Sequence, residues 1–244
     1  MQNAVFAIIL CLILLFVFMV MAAIVYDAHV ENSKTIKVKT HVVNGYKVYE
    51  IKNVLNKQDC LDLIEFSKKK GLSNSMVWSY DGQSGNQLDE SHRKSKQTWI
   101  GDAEHRVALK MAIINEFVTG IPRDHQEALQ VAMYEKLGKF NDHYDACVDK
   151  DPEYCEKMNA GSGERRATLL VYLNDDFTGG ETEFVNIGLK IKPERGKGIL
   201  FWNTYDDETV INDSKHRGNP VMDGEKWIAT KWTHQNVWRG SKTI

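Results

Sequence analysis

Residues 141–145 read Asn-Asp-His-Tyr-Asp. On a β-strand the side-chain period is two, so His143 and Asp145 would lie on one face. An imidazole and a carboxylate so placed can take one side of a metal ion. A third ligand must come from elsewhere, and His216, in His-Arg-Gly-Asn-Pro-Val, is the best candidate among the eight histidines. Two histidines and one carboxylate form a facial triad that suits Fe(II) and leaves positions open for oxygen and a co-substrate. Alone, His-x-Asp is a weak signal. Ten residues after His216 comes Lys226, in Gly-Glu-Lys-Trp-Ile-Ala-Thr-Lys-Trp. Lys226, Ile228, Thr230 and Trp232 would share a strand face, directing a lysine into an otherwise apolar pocket. Such a lysine needs an anionic partner, because an unpaired buried charge is costly. The distal carboxylate of a 2-oxo diacid would serve. Lys226 and Lys231 could equally be solvated charges on an edge strand, and spacing alone leaves both readings open.

The elements that must carry these residues follow from patterning. Val38 to Ile51 alternates apolar and polar residues around Asn44-Gly45, a hairpin signal. Asn56 can N-cap a helix carrying Cys60, Leu61, Ile64 and Phe66, ended by a lysine run and Gly71. Residues 73–98 are polar and read as a long irregular loop, which in a compact domain is usually functional. A second helix places Val107, Met111, Ile114 and Val118 on one face and stops at Gly120 and Pro122. From Gln126 on, short strands are expected at 129–136, 139–145, 167–174, 181–192, 197–203 and 226–237. Helices first and strands after predict an α+β fold, with the helices supporting an antiparallel sandwich or barrel.

The chain has 244 residues, 43% of them hydrophobic, but the apolar content is concentrated. Ala4 to Tyr26 is an unbroken apolar run. As a helix it would span about 34 Å, enough for a hydrocarbon core of ~30 Å. Its length and the lack of a basic segment before it favour an uncleaved single-pass anchor over a signal peptide. Lys34, Lys37 and Lys39 follow the run, which by charge count would leave the domain cytoplasmic. A net charge of −2 with no basic tract argues against nucleic-acid binding. Cys60 reads as a buried thiol, whereas Cys147 and Cys155 bracket a polar loop and could close a small disulfide. The sequon Asn212-Asp213-Ser214 reads as a chance occurrence.

The ordered motifs resemble the prolyl 4-hydroxylase branch of the Fe(II)/2-oxoglutarate dioxygenases, especially its short plant, algal and large-virus members. The similarity runs from about Val48 to Trp238. It rests on Glu127 to Tyr134, His143-Tyr-Asp145, Arg165-Arg-Ala-Thr-Leu-Leu-Val-Tyr-Leu-Asn-Asp, Gly179-Gly-Glu-Thr182-Glu-Phe, His216-Arg-Gly-Asn-Pro-Val and Gly224-Glu-Lys226-Trp. The resemblance implies a double-stranded β-helix (jelly roll) supported by N-terminal helices and preceded by a single transmembrane helix. Residues 1–26 would be the anchor, 27–47 a spacer and first hairpin, and 48–240 the dioxygenase domain.

It implies His143, Asp145 and His216 as iron ligands and Lys226 as partner of the distal carboxylate of 2-oxoglutarate. Tyr134 and Thr182 would complete that pocket and Trp232 would wall it. Glu127 and Arg165 would contact the peptide. Ser91 to Thr98, with Arg93, would form the segment that closes over it. Tyr80, Trp78 and Trp99 could offer a proline ring an aromatic surface. Phe140, where the algal pattern has tyrosine, and the cysteine-bracketed insert depart from the family and bear on substrate choice.

The implied activity is hydroxylation of peptidyl proline in a proline-rich substrate, with Fe(II), 2-oxoglutarate and, by family inference, ascorbate. Hydroxylation of another residue such as lysine, or a non-catalytic jelly-roll module that binds peptides, are the rival readings. The relatives also imply type II anchoring at the membrane through residues 4–26, with the catalytic domain in the endoplasmic reticulum or secretory lumen.

Overall fold

The computed structural model describes residues 36–78, 86–148 and 152–240. The hairpin forms as expected: β1 (Lys37–Val43) pairs antiparallel with β2 (Tyr46–Lys52). The turn between them uses Asn44 and Gly45 at positive φ, the backbone geometry that such two-residue turns require. Helix α1 (Lys57–Lys70) starts at a reciprocal capping box, in which the Asn56 side chain accepts from the Asp59 amide and Asp59 from that of Asn56.

Short strands follow at β3 (Ser73–Asn74), β4 (Val77–Trp78), β5 (Asn86–Gln87), β6 (Arg93–Lys94) and β7 (Lys96–Ile100). Helix α2 (Arg106–Thr119) ends at Gly120 in the left-handed conformation. The chain then runs through β8 (Leu129–Tyr134), β9 (Lys139–His143), helix α3 (Pro152–Met158) and β10 (Arg165–Tyr172). It closes with β11 (Thr178–Gly179), β12 (Thr182–Phe184), β13 (Leu189–Ile191), β14 (Gly198–Trp202), β15 (His216–Gly218), β16 (Val221–Asp223) and β17 (Lys226–His234).

Two sheets dominate. The larger has the order β1-β2-β14-β10-β17-β8-β7-β3 and the smaller β13-β12-β15-β9-β6. Strand alternation divides the core in two. Leu169 and Val171 face Cys60, Leu63, Val107 and Met111 of the helices. Leu170 and Tyr172 face the small sheet, where Phe184, Ile191 and Val221 complete a second cluster. The described chain is thus mostly β-sheet with helices against one outer face, an arrangement consistent with a jelly roll.

Five details differ from expectation. Residues 73–98, read as one long irregular loop, carry the short strands β3 to β6 and the start of β7, with β6 paired to β9 and β7 to β8. The strand expected over 181–192 is broken into β12 and β13 by a 3-10 turn ending at Gly188 in the left-handed conformation. Helix α3 lies in the cysteine-bracketed segment read as a loop, and Cys147 and Cys155 are joined as a disulfide. Lys231 is no solvated edge charge: it is fully buried, on a strand flanked by β10 and β8, and bonds Asp102 at 2.5 Å. The single-pass membrane localisation is also corrected, because among the described residues no helix is long and apolar enough to cross a membrane. The apolar run 4–26 itself lies outside the described residues.

Candidate active site

The register of the small sheet brings the two histidines together. His143 closes β9, His216 opens β15, and the two are cross-strand partners. Asp145 follows where the chain leaves β9. The Nε2 atom of His143 lies 3.8 Å from Asp145 Oδ1, and that of His216 lies 3.9 Å from Oδ2. One ligand atom from each residue fits within 4.8 Å of the others, and all three residues are buried.

Backbone carbonyls set the ring orientations. His143 Nδ1 donates to Asn141 O at 2.7 Å and His216 Nδ1 to Ser214 O at 3.0 Å, which leaves both Nε2 atoms as acceptors facing the carboxylate. Asp145 Oδ2 accepts from Thr168 Oγ1 at 2.7 Å, and Thr168 in turn accepts from Asn203 Nδ2 at 2.8 Å. Burial pushes the His143 imidazole well below its usual range, and neighbouring His216 adds to this. Burial acts to raise the Asp145 carboxyl, but His216, His143, Arg165 and the Thr168 hydroxyl outweigh it and hold Asp145 ionised. Two imidazoles and one carboxylate are the donor set that Fe(II) accepts. The residues fit the metal.

One small cavity contains all three and extends to Lys226, Tyr134, Thr182 and Trp232. The expected strand face holds, since Ile228 and Thr230 line it too. Lys226 is cross-strand partner to Tyr134 and is 2% exposed. Its ammonium sits 5.3 Å from the Tyr134 ring centroid and 5.6 Å from that of Tyr172, and among the described residues no carboxylate lies at ion-pair distance. Burial pushes its pKa down to about 8, with the Glu181 carboxylate acting against this. Tyr172, which patterning did not single out, donates to Thr182 Oγ1 at 2.7 Å at the base of the cavity. A buried ammonium beside the His143–Asp145–His216 cluster suits an anionic ligand such as a carboxylate.

The family described as the 2OG-Fe(II) oxygenase superfamily matches residues 129–234, the stretch that holds every residue of this cavity except Arg93. A probable prolyl 4-hydroxylase of Arabidopsis thaliana is 34% identical over 201 residues, covering 75% of this chain and 67% of the relative. A putative prolyl 4-hydroxylase of Acanthamoeba polyphaga mimivirus is 32% identical over 188 residues, with 76% and 73% covered. The chain belongs to the prolyl 4-hydroxylase family. Among solved structures, the viral collagen prolyl hydroxylase of Paramecium bursaria Chlorella virus-1 in its 2OG complex superposes with a TM-score of 0.60. It is 31% identical, and the match covers 79% of this chain and 98% of that one.

Beside the metal cavity this prolyl 4-hydroxylase relative has an open cleft of about 580 Å³. Glu127, Arg165 and Arg93 all line it. The Glu127 carboxylate, 5% exposed, is gripped by Arg165 at 2.5 and 3.2 Å and by His234 Nε2 at 2.9 Å. Burial would raise this carboxyl, but Arg165 and His234 prevail and hold it down to about 2. Both carboxylate oxygens therefore have internal partners, and Glu127 faces the cleft chiefly by fixing Arg165. The Arg165 guanidinium lies 4.1 Å from the centre of the Trp232 ring.

Arg93 is 6% exposed, donates to Gln130 Oε1 at 2.9 Å and sits 4.6 Å above the Phe140 ring. Phe140 stacks on His143 with 3.5 Å between ring centres. Trp99 packs against Trp232 and lines the cleft, whereas Tyr80 lies outside the described residues. Helix α3, tied down by the disulfide at Cys155, supplies a further wall through Tyr154 and Met158.

Thr168, Tyr172 and His234 were not found from the sequence, whereas Phe140 was, as a departure from the family pattern. His234 carried the clearest signal, because it continues the i, i+2 face of Thr230 and Trp232.

Proposed function

We propose that the protein hydroxylates peptidyl proline at C4, consuming O₂ and 2-oxoglutarate and releasing succinate and CO₂. The observation that carries this reading is the buried Lys226, without an ion-pair partner among the described residues, sharing one small cavity with His143, Asp145 and His216. Iron, when bound with 2-oxoglutarate, supplies the oxidising power to place one oxygen atom of O₂ on an unactivated C–H bond and the other in succinate.

The chain's own residues hold and orient the reactants. His143, Asp145 and His216 hold Fe(II), with Thr168 fixing the carboxylate. Lys226 pairs with the distal carboxylate of 2-oxoglutarate, and the Tyr134 and Thr182 hydroxyls hydrogen-bond to it. Trp232 separates this pocket from the cleft and excludes water. Arg165, held by Glu127, and Arg93 meet the backbone of a proline-rich peptide in the cleft. Ascorbate serves as reductant for iron that has turned over without substrate. The catalytic domain spans residues 48–240, and the first hairpin completes the edge of the large sheet through the β2–β14 pairing.

The test is mass spectrometry of proline-containing peptides after incubation with enzyme, Fe(II) and 2-oxoglutarate. A product heavier by one oxygen, located on proline and absent without either cofactor, is expected. Oxygen on lysine instead of proline would reassign the substrate, and 2-oxoglutarate binding without any turnover would favour a binding module.

A further inference from the structure

A cavity of about 740 Å³ lies outside the active site. It is a groove beside it, lined by Tyr46, Tyr49, Trp202 and Tyr205, with Arg166 and Asn212. We propose that this groove is a second, non-catalytic docking site for the polypeptide being hydroxylated. It would hold the stretch of proline-rich chain that flanks the target residue, so the inference rests on the function proposed above.

Three observations favour this occupant. The first is continuity with the catalytic cleft. Tyr144 lines that cleft, and its hydroxyl donates to Asn212 Oδ1 of the groove at 3.0 Å. One side-chain hydrogen bond therefore separates the two spaces, and a chain leaving the cleft on this side meets the groove next.

The second is chemistry. Exposed Tyr205 and half-buried Trp202 offer an aromatic surface that suits pyrrolidine rings presented on a polyproline II helix, which arrives with little conformational entropy left to lose. The charged lining balances: Lys47 and Arg166 stand against Asp206 and Asp213, which suits an uncharged chain better than a phosphate or nucleic acid.

The third is preorganisation. The Tyr46 hydroxyl donates to Trp202 O at 2.8 Å, and the Arg166 guanidinium lies 4.9 Å from the Trp202 ring centre. Arg166 also bonds Thr204 O and Asp206. Tyr205 is 57% exposed, yet its backbone is fixed by the Tyr205 N to Thr209 O bond at 2.9 Å and the Thr204–Val210 bridge. An ordered loop that holds a tyrosine ring in solvent is built for contact. Thr204, buried below it, has a hydroxyl with no partner in the protein.

The experiment compares KM for two repeats of one proline-rich sequence, a short peptide of about 19 Å and a long one of about 74 Å at ~3.1 Å per residue. The long peptide is expected to show a KM at least about tenfold lower per target proline, because docking raises its effective concentration at the cleft. Tyr205→Ala should raise KM for the long peptide by about five- to tenfold, the worth of one lost aromatic contact, and leave the short peptide unchanged. Tyr205→Phe should keep the long-peptide advantage, which separates ring stacking from a fold defect. Equal KM per proline for both peptides, or a Tyr205→Ala effect of the same size on both, would overturn the groove while leaving the activity standing. No hydroxylation of either peptide would remove the activity and the groove's occupant with it.

Discussion

Lys226 makes the account quantitative. Its ammonium is buried with no ion-pair partner among the described residues, and its pKa falls from the ordinary 10.5 to about 8. That difference corresponds to about 3 kcal/mol against the charged form in the folded protein. Below pH 8 the folded chain carries this cost in full. Between pH 8 and 10.5 the unfolded chain binds the extra proton, so stability rises with pH across that window. Lys226→Met keeps most of the side-chain volume and removes the charge. At pH 7 the variant, without 2-oxoglutarate, should be more stable than the parent by up to about 3 kcal/mol, and should lack the alkaline rise.

A bound dicarboxylate supplies the missing anion and draws the proton back. With Mn(II) in place of iron, 2-oxoglutarate binding at pH 8.5 should take up ~0.8 proton, and at pH 7 only ~0.1. Isothermal titration calorimetry in two buffers of different ionisation enthalpy measures this uptake directly. The variant should bind 2-oxoglutarate roughly thirtyfold or more weakly, from an ion pair worth at least about 2 kcal/mol when one partner is truncated. Buffer-independent heats at pH 8.5, together with unchanged affinity in Lys226→Met, would refute the assignment of this lysine.

Thr168→Val, which removes the hydroxyl on Asp145 Oδ2, should weaken Fe(II) binding about 10–100-fold in a metal titration while leaving the fold intact. Glu127→Gln should destabilise the protein by about 3 kcal/mol at pH 7, because it leaves Arg165 buried without its anion. Since the carboxyl is held down to about 2, the difference between parent and variant should shrink in denaturant titrations as pH falls from 5 towards 2. Cys147→Ser with Cys155→Ser should cost about 2.5 kcal/mol from the opened loop. The pair should also raise KM for the peptide more than for 2-oxoglutarate, because that segment walls only the peptide cleft.

Local signals made much of this molecule legible. The Asn44-Gly45 turn, the Asn56 cap and the Gly120 stop each act through a backbone or hydrogen-bond requirement confined to a few residues, and each appears where expected. The same holds for the face of β17 that carries Lys226 and Trp232, whereas the strand expected to carry both His143 and Asp145 ends at His143 and Asp145 comes from the bend after it. What stayed hidden depends on partners far apart in sequence. Lys231 could not be told from a solvated lysine until β17 lay inside the sheet and Asp102 came from the loop before α2. Thr168 and Asn203 become supports of Asp145 only through the pairing of β10 with β14. Helix α3 is short and polar, with little periodicity to betray it, and its place is set by the Cys147–Cys155 link.

The central claim, that the triad of His143, Asp145 and His216 drives oxygen transfer to proline, meets its most direct test in one comparison. A proline-rich peptide is incubated with Fe(II), 2-oxoglutarate and either the parent protein or Asp145→Ala, and the product is read by tandem mass spectrometry. The account predicts one added oxygen on proline with the parent and none with the variant. Equal modification by Asp145→Ala, or oxygen found only on other residues, would contradict it.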